Sequence, residues 1–297
     1  MSTGFFIQSV EQGLVYAIMA IGVYITFRIL DFADLTVEGS FTLGGAVAAT
    51  MLTNGSNPVV ASLVPILAGA AAGIVTGILH TKGKVSGLLA GILTMTALYS
   101  INLRVMGKAN IPLLRKATVI SLLEGVIPKS SASLIFFGLC VFLIVLLLDW
   151  FLFTETGFAI RATGDNEYMI RSLGVNTDNM KILGLAISNG LVAFSGALVA
   201  QYQGFADAGM GIGMIVAGLA SVIVGEVLFG SGSIPRATFA VVGGSVVYRL
   251  AIAAALLLGF RASDLKLITA VLVITALVSP RVKDVLNLNK KASISGS

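Results

Sequence analysis

The sequence predicts an all-α polytopic membrane protein with about nine transmembrane helices, within a range of eight to ten. Mean hydropathy is +0.99 over 297 residues, and only 11% of the residues are charged. Apolar stretches of about 20 residues recur along the chain, and each is long enough to cross a bilayer. A water-soluble domain carries about a quarter of its residues as charges, and the alternation of a membrane β-barrel is absent. These observations exclude a soluble enzyme or binding domain.

The chain reads as one transmembrane domain over residues 1–297, without a soluble domain or an internal repeat. The predicted spans cover residues 5–27, 35–53, 58–79, 85–106, 133–153, 181–203, 208–229, 237–258 and 265–280. The longer connections are an outer loop at 107–132, a loop at 154–180 and a tail at 281–297. The outer loop contains VISLLEGVI, which is too short to span and is expected to lie at the interface or over the outer mouth.

The distribution of Lys and Arg predicts that the N-terminus is outside and the C-terminus inside. Eleven of the nineteen basic residues fall in the connections on one side of the predicted spans, seven fall on the other side, and Arg249 lies within a span. The side with more basic residues is cytoplasmic. Because no Lys or Arg precedes Arg28, the N-terminus is not expected to be a cleavable signal.

Cysteine and histidine are too scarce for a disulfide framework, and no metal site is expected. Cys140 lies in the apolar run FFGLCVFLIVLLL and is read as a small hydrophobic side chain rather than a functional thiol. His80, at the end of a span, is read as a solvated interfacial residue. The pI of about 9.4 is attributed to cytoplasmic loops and not to nucleic-acid binding.

Glycine spacing predicts close helix packing and one further break. Gly69, Gly73 and Gly77 recur every four residues, and small residues at this spacing let helix backbones approach closely. The run ADAGMGIGM around Gly211 predicts a break or hinge where the seventh span begins.

A short polar helix interrupts the apolar chain within the loop 154–180. Asp165 can cap its start, Glu167 lies in its first turn, and Gly174 can end it. Its apolar residues share one face by i, i+3 and i+4 spacing; they are Met169, Ile170 and Leu173. This face can rest on the membrane surface, or it can insert into the groove of a partner protein.

This loop and the span after it resemble ABC importer permeases of the branched-chain amino acid and ribose class, through the run GFAIRATGDNEYMIRSLGVNTDNMKILGLAISNGLVAFSGAL. The family pattern has Gly, then Arg-Ala, then Asn, then a short helix ending in Gly before a polar-small membrane segment. Those positions here are Gly157, Arg161, Ala162, Asn166 and Gly174, followed by Ser188, Asn189 and Ser195.

The resemblance extends over most of the chain. The family's early broken span matches LDFADLTVEGSFTLGGAVAA, and its later Gly-Glu turn matches VIVGEVLFGSGSIPRA. A narrower subgroup, linked to lipoprotein receptors for aromatic amino acids of the tryptophan and tyrosine type, is similar in the run LLAGILTMTALYSINLRVMGKANIPLL. The resemblance therefore implies an importer of a small polar solute, with an aromatic amino acid favoured.

The resemblance implies that the polar helix is a coupling helix, which docks on a separate ATPase and transmits its closure to the spans. It assigns this role to Gly157, Arg161, Asp165, Asn166, Glu167, Met169, Ile170, Arg171, Leu173 and Gly174. No GxxxxGK[ST] loop occurs in the sequence, so ATP and Mg are expected on the partner and no cofactor on this chain.

The implied assembly is a homodimer in the bacterial cytoplasmic membrane. It would contain a second copy of the chain, two ATP-binding cassette ATPase subunits and an external substrate-binding lipoprotein, within the lipid bilayer and without nucleic acid. The chain itself would be a transporter subunit and not an enzyme.

Ionisable residues inside predicted spans are candidates for function, because burying them in a bilayer is costly. The densest cluster is RILDFADLTVEGS, where the family has a discontinuous helix. Thr36 could cap a half-helix aimed at a substrate carboxylate. Alternatively, Arg28 pairs with Asp31 and Asp34 only caps the span. The predicted path residues are Thr36, Glu38, Ser40, Thr42, Thr94, Thr96, Ser188 and Asn189.

The remaining charged groups in the spans suit structural roles. Glu226 and Arg249 are expected to neutralise one another or to pack near the inner gate, and Glu11 to face the receptor or reach water. An ion-coupled secondary transporter of small organic solutes is the alternative function, and it would need a matching second half that the sequence does not show. An intramembrane enzyme would lack a nucleophile and a base.

Overall fold

The computed structural model describes residues 2–114, 116–123, 129–261, 264–265, 267–271 and 274–275, and these are mostly helical. The helices are α1 (Ser2–Tyr24), α2 (Thr36–Thr53), α3 (Pro58–Thr81), α4 (Gly87–Met106), α5 (Val119–Leu123), α6 (Lys129–Leu152), α7 (Glu155–Asp165), α8 (Glu167–Ser172), α9 (Thr177–Gln203), α10 (Met214–Phe229) and α11 (Ile234–Leu257). A π-helical turn, Ile25–Ile29, extends α1. Two strands, β1 (Asn110–Pro112) and β2 (Phe205–Asp207), pair antiparallel.

Six of the described helices are long and apolar enough to cross a bilayer, which confirms the polytopic α-helical class. They are Gly4–Ile29, Pro58–Thr81, Gly87–Met106, Ala132–Leu152, Thr177–Gln203 and Ile234–Leu257. Helices α2 and α10 coincide with two more predicted spans, but they are only 18 and 16 residues long. Half of the predicted ninth span and all of the tail 281–297 lie outside the described residues, so the count of nine and the orientation stay predictions.

Two helices form the centre of the bundle. The most apolar window of the first span is 78% buried and that of α9 is 72% buried, whereas the corresponding window of α6 is only 17% buried. Helix α9 contacts α1, α2 and α3, while α11 packs against α1 and α10. The exposed side chains of α6 are Ile, Leu, Phe and Trp, as expected of a helix that faces lipid.

The glycine stripe on α3 packs against α9, as the spacing predicts. A β-carbon at Gly69 would collide with the Asn189 carbonyl oxygen, and one at Gly73 with the Leu185 carbonyl oxygen. The two backbones therefore touch, which side chains at these positions would prevent. Helix α3 begins at an Asn57 cap, whose side chain accepts from the Val59 amide, with Pro58 in its first turn.

The first predicted break is present between the π-helical turn and α2. Residues 30–35 are not helical, and Asp31 has a φ of 49°. The backbone resumes helical form at Thr36, whose amide donates to Asp34 Oδ1 at 2.9 Å. The Asp34 carboxylate thus caps α2, and the predicted capping role of Thr36 is wrong, because its hydroxyl instead bonds the Thr76 hydroxyl at 2.8 Å.

The outer loop is held against the ends of α3 and α9. Its strand β1 pairs with β2, and α5 contacts α3, α6 and α9. Gln201 ties these elements together: its Oε1 accepts from the Val119 amide at 3.0 Å, and its Nε2 donates to Ser62 Oγ at 2.8 Å. The described part of the predicted apolar stretch therefore packs over the bundle, while residues 124–128 lie outside the described part of the chain.

Candidate coupling surface and substrate path

The predicted polar helix is two helices, α7 and α8, meeting at Asn166. Asn166 has an extended backbone, with φ −155° and ψ 94°, and its side chain accepts from the Met169 amide at 3.0 Å. Asp165 is therefore the last residue of α7, and the prediction that it caps the polar helix is wrong. Gly174 has a φ of 88°, which suits glycine, and it ends this part of the loop as predicted.

The apolar residues of α8 divide between two directions. Ile170 is 6% exposed and lines a cavity with Phe153 and Val175, so it anchors α8 to the bundle. Met169 and Leu173 are 51% and 70% exposed. The prediction that all three form one exposed face is therefore wrong for Ile170, because α8 uses that side chain to pack on α7.

An exposed apolar surface is formed by residues on α7, on α8 and just after α8. It consists of Phe158, Tyr168, Met169 and Leu173, and we call it the coupling surface. Three of these side chains border a groove of about 740 Å³ between α7, α8, the π-helical turn and the start of α11. Arg161 lines the same groove, with its guanidinium 5.8 Å from the centroid of the Phe158 ring. The groove is lined by apolar side chains and by charged side chains of both signs, among them Asp31 and Asp165, and a mixed groove of this kind can take a protein partner.

A network of charges fixes α8 to the beginning of α9. Glu167 accepts from Lys181 Nζ at 2.6 Å and from Arg171 at 2.9 Å. Arg171 also donates to Asp178 at 3.0 Å and to the Thr177 hydroxyl. The Lys181 ammonium holds the pKa of the Glu167 carboxyl below its usual range, against the opposing effect of partial burial.

The backbone of α7 touches other backbone segments at two of its glycines. A β-carbon at Gly157 would collide with the Phe151 carbonyl oxygen, and one at Gly164 with the Ile29 carbonyl oxygen. The second contact places α7 on the π-helical turn that ends the first span. Gly157, one of the predicted coupling residues, therefore lies in close backbone contact with the end of α6.

The predicted path residues nearest the break form a buried polar network. Asn189 Nδ2 donates to Asp34 Oδ2 at 2.7 Å, and Asn189 Oδ1 accepts from Ser40 Oγ at 2.7 Å. All three side chains are 0% exposed. Ser188 is equally buried and donates to the Gly22 carbonyl at 2.7 Å. These groups bind α1, α2 and α9 to one another in the centre of the bundle.

The other four predicted path residues do not belong to this network and lie on α4 and α2. Thr94 and Thr96 donate to carbonyls one turn earlier in α4, and only Thr96 is exposed. Glu38 Oε1 accepts from the Gly213 amide at 2.9 Å, and Thr42 Oγ1 accepts from the Gly211 amide at 3.0 Å. Glu38 and Thr42 therefore border the second predicted break, which is present just before α10.

For three charged groups the structure contradicts one of the predicted alternatives, while a receptor-facing Glu11 and a Glu226 near the inner gate stay predictions. Glu11 is 5% exposed, and its carboxylate accepts from Ser133 and from the Tyr202 hydroxyl, so it does not reach water. Glu226 pairs with Arg28 at 2.7 Å instead of with Arg249, which also leaves Asp31 without its predicted partner. Long-range contacts of this kind join residues 122 to 198 positions apart, and sequence spacing gave no signal for them.

Arg249 stacks on an aromatic ring. Its guanidinium carbon lies 3.6 Å from the centroid of Tyr16, within the range of a cation–π contact. His80 is half-exposed near the end of α3; its Nδ1 atom lies 2.9 Å from the Val85 carbonyl oxygen, and its ring meets Phe32 edge-on. Cys140 is half-buried against the main apolar cluster. Among the described residues, no group of three His, Cys, Asp or Glu side chains is placed to hold a metal ion.

A family model described as the permease component of branched-chain amino acid transport systems matches residues 5–278. A tyrosine transport system permease protein of Clostridioides difficile is 50% identical, over 92% of this chain and 90% of its own length. A ribose import permease protein, RbsC, of Haemophilus influenzae is 29% identical, over 72% of this chain and 66% of its own.

Two solved structures share the fold. PsaBC from Streptococcus pneumoniae, solved in complex with a Fab, aligns with a TM-score of 0.55 over 91% of this chain and 90% of its own. A transporter described as metal-chelate type ABC, in an inward-facing conformation, aligns with a TM-score of 0.50 over 94% of this chain and 85% of its own. Sequence identity is 14% in both cases, so these likenesses concern the fold alone.

Proposed function

The chain belongs to the permease family of branched-chain amino acid transport systems, and on this premise we propose that α7 and α8 couple it to a separate ATPase. As an ABC permease, the chain is a multi-pass subunit of the cytoplasmic membrane. Its membership of this family excludes the alternative function, an ion-coupled secondary transporter. The observation that carries the proposal is the coupling surface. Its apolar side chains are exposed on polar helices, and the Glu167 network holds them in a fixed position.

The solute that we propose is an aromatic amino acid. The relative that shares 50% identity is described as a tyrosine transport system permease protein. The chain also has the subgroup run around Thr94 and Asn102 described above, and Asn102 is buried with its side chain donating to the Gly39 carbonyl of α2. The relatives described as ribose permeases are less similar, at 29% identity or below.

The assembly that we propose has two copies of this chain, two ATPase subunits that bind ATP and Mg, and an external substrate-binding lipoprotein. The N-terminus is outside, the C-terminus is inside, and nine spans cross the membrane. The excess of basic residues in the loops on the proposed inner side supports this orientation. With it, α7 and α8 lie in the cytoplasm, where an ATPase can reach them.

The solute path that we propose runs beside α2. Glu38 and Thr42 border it, because both lie against the glycine-rich break before α10. Thr36, Ser40, Ser188 and Asn189 form the scaffold behind it, since their polar atoms bond other helices. Thr94 and Thr96 lie on α4, one turn from the carbonyls they bond, at the edge of the proposed path.

The proposed coupling is tested by pull-down of the tagged chain from its native membrane in gentle detergent, with partners identified by mass. We expect an ATPase with the wild type and its loss in Met169→Asp and Leu173→Asp, which place a charge on the coupling surface. Leu122→Asp is the matched control, because Leu122 is 51% exposed in α5, on the outer loop. Size-exclusion chromatography shows that each variant is folded.

The opposite result would contradict the proposed coupling. If the wild type copurifies without an ATPase, or if both variants retain it while folded, then α7 and α8 form a surface helix pair and not a docking site. Loss of the ATPase in Leu122→Asp as well would indicate general destabilisation, which the elution profile would reveal as a shift.

A further inference from the structure

Helix α4 lies at the edge of the bundle and is packed on one side only. Its main contacts are with α2 and α3, and its most apolar window is only 28% buried. Asn102 holds the packed side against α2, since its Nδ2 donates to the Gly39 carbonyl at 3.2 Å. A β-carbon at Gly39 would collide with the Leu98 side chain, so the two helices touch closely there. The opposite side of α4 faces outward.

The outward side of α4 carries polar side chains midway along the helix. Thr96, Tyr99 and Ser100 are all exposed, and they lie in the central turns of a helix of 20 residues. The exposed side chains midway along α3 and α6 are instead apolar, as lipid requires. Among the described residues of the six helices that are long enough to cross a bilayer, only those of α4 expose hydroxyl groups away from the helix ends.

Two of these hydroxyls lack a partner in the part of the chain that the structure describes. Thr96 Oγ1 donates to the Ile92 carbonyl within α4, whereas the Tyr99 and Ser100 hydroxyls make no hydrogen bond there. Aromatic side chains in a helix point back towards its N-terminus, so Tyr99 leans towards the middle of α4 and away from the nearer end. A hydroxyl in hydrocarbon without an acceptor is costly. This face therefore does not suit lipid.

The same face has the spacing of a seam between two helices. The residues along its central line follow one another at alternating intervals of four and three; they are Leu89, Leu93, Thr96, Ser100 and Leu103. This period of 3.5 residues is that of two helices packed with a left-handed crossing. Small side chains at the centre of such a seam let two backbones approach closely in a membrane. The outward face of α4 is thus built to pack on another helix.

We propose that this face of α4 is covered by the same face of a second copy of the chain. The inference rests on the proposed function, which has two copies, and assigns the surface through which they meet. Both copies insert into the membrane in the same direction, so the twofold axis is perpendicular to the bilayer and the two α4 helices run parallel. Like residues of a parallel seam meet across the axis. Ser100 therefore meets Ser100 of the partner subunit, which gives these hydroxyls the polar neighbours that lipid lacks.

The test is disulfide crosslinking of the full chain in its native membrane. Cys140 is the only cysteine in the sequence, so Cys140→Ala provides a background without thiols. In this background we expect Ser100→Cys, after oxidation with copper phenanthroline, to run at the mass of two copies on a non-reducing gel. A disulfide needs two Cα atoms within about 4.4–6.8 Å, which direct contact of the two seams provides. Mass spectrometry then identifies both crosslinked chains.

Matched controls use exposed positions at a similar depth on other helices. Leu67 is 73% exposed midway along α3, and Leu139 is 55% exposed midway along α6. In the same background, Leu67→Cys and Leu139→Cys should stay at the mass of one copy, because these side chains face lipid. They report how often exposed thiols form disulfides through random collision.

A second measurement uses bulk instead of a thiol. Ser100→Trp places a large side chain at the centre of the seam, where it keeps the two backbones apart. We expect the dissociation constant of the dimer in detergent to rise about tenfold or more, measured by size-exclusion chromatography with light scattering over a range of concentrations. Leu67→Trp is the control and should leave the dissociation constant unchanged.

The proposal is overturned if Ser100→Cys stays at the mass of one copy, if Leu67→Cys crosslinks as efficiently, or if the crosslinked species contains a different protein. Dimerisation of Ser100→Trp as strong as that of the wild type would overturn it as well. This failure is distinct from failure of the proposed function. A dimeric wild type that recruits the ATPase but gives no crosslink at Ser100 would keep the assembly and lose only this face. A crosslink at Ser100 in a chain that recruits no ATPase would keep the face and remove the coupling.

Discussion

The Lys181 ammonium and the Glu167 carboxylate lie 2.6 Å apart and join the first turn of α8 to the second turn of α9. The Lys181 side chain is only 15% exposed at this contact. Because α9 is one of the two central helices, a displacement of α8 would reach the middle of the bundle through this pair.

Removing the charge of Lys181 should uncouple the ATPase from transport. In Lys181→Met we expect ATP-driven uptake of the transported solute into proteoliposomes to fall about fivefold or more, because α8 loses a charged hydrogen bond to α9. The amount of copurified ATPase should stay the same. Lys82→Met is the control, since Lys82 is exposed in a loop on the same side. Equal uptake by the two variants would contradict a coupling role for the pair.

Acid should loosen the same connection. The pKa of Glu167 is lowered in the folded chain by Lys181, so its stabilising effect is present above the unfolded pKa of about 4.3 and is lost as pH falls through the lower, folded value. Hydrogen exchange of the α8 amides, corrected for intrinsic rates, should therefore speed up below about pH 4 in the wild type. In Glu167→Gln this pH dependence should disappear; its persistence would assign the effect to another group.

Gly164 should not tolerate a side chain. A β-carbon there would meet the Ile29 carbonyl oxygen, so Gly164→Ala should cost about 1–3 kcal/mol by overpacking, measured as loss of stability on denaturation in detergent. Gly138→Ala is the matched control, because a β-carbon at Gly138 in α6 would meet nothing within 4 Å. If Gly164→Ala were as stable as Gly138→Ala, α7 would not rest on the π-helical turn.

The buried network around Asn189 should contribute strongly to stability. Asn189→Leu leaves Asp34 Oδ2 and the Ser40 hydroxyl without the partner that each has now, and we expect a loss of about 2–3 kcal/mol. Thr96→Val removes a hydroxyl that bonds only within its own helix and is exposed, so it should change stability by less than about 0.5 kcal/mol. If Asn189→Leu lost no more stability than Thr96→Val, the network would not contribute to stability.

Arg28 and Glu226 should interact measurably at the end of the bundle that carries α7 and α8. They join the π-helical turn to the last turn of α10 at 2.7 Å, and the Glu226 side chain is 13% exposed whereas Arg28 is 60% exposed. A double-mutant cycle with Arg28→Met and Glu226→Gln should give a coupling energy of about 1 kcal/mol. A cycle between Arg28 and Glu155 is the control and should give none. Additive effects in the first cycle would exclude the pair as a stabilising contact.

Much of the architecture could be predicted from the sequence, because membrane spans are signalled locally. An apolar stretch must form a helix in lipid, so the spans at 58–79 and 85–106 correspond closely to α3 and α4. The glycine stripe beginning at Gly69 indicated close packing, and the run around Gly211 indicated a break, since small residues and glycine act through their own backbone. Family membership could be recognised for the same reason, through short runs of sequence.

The site could be predicted only in part. Met169 and Leu173 are exposed as expected, but Ile170 is buried, because the extended backbone at Asn166 splits the polar helix and turns α8 onto α7. Helical spacing describes one continuous helix and cannot show where a cap residue interrupts it. The roles of the predicted path residues stay a proposal.

By itself the sequence determined the helical membrane class, the position of most spans, the polar loop and the family, since each depends on neighbours along the chain. Only the tertiary structure decided that Glu226 meets Arg28 and that Arg249 stacks on Tyr16. These residues lie far apart in sequence. Their contacts follow from how helices cross and which faces they bury, which no local pattern records.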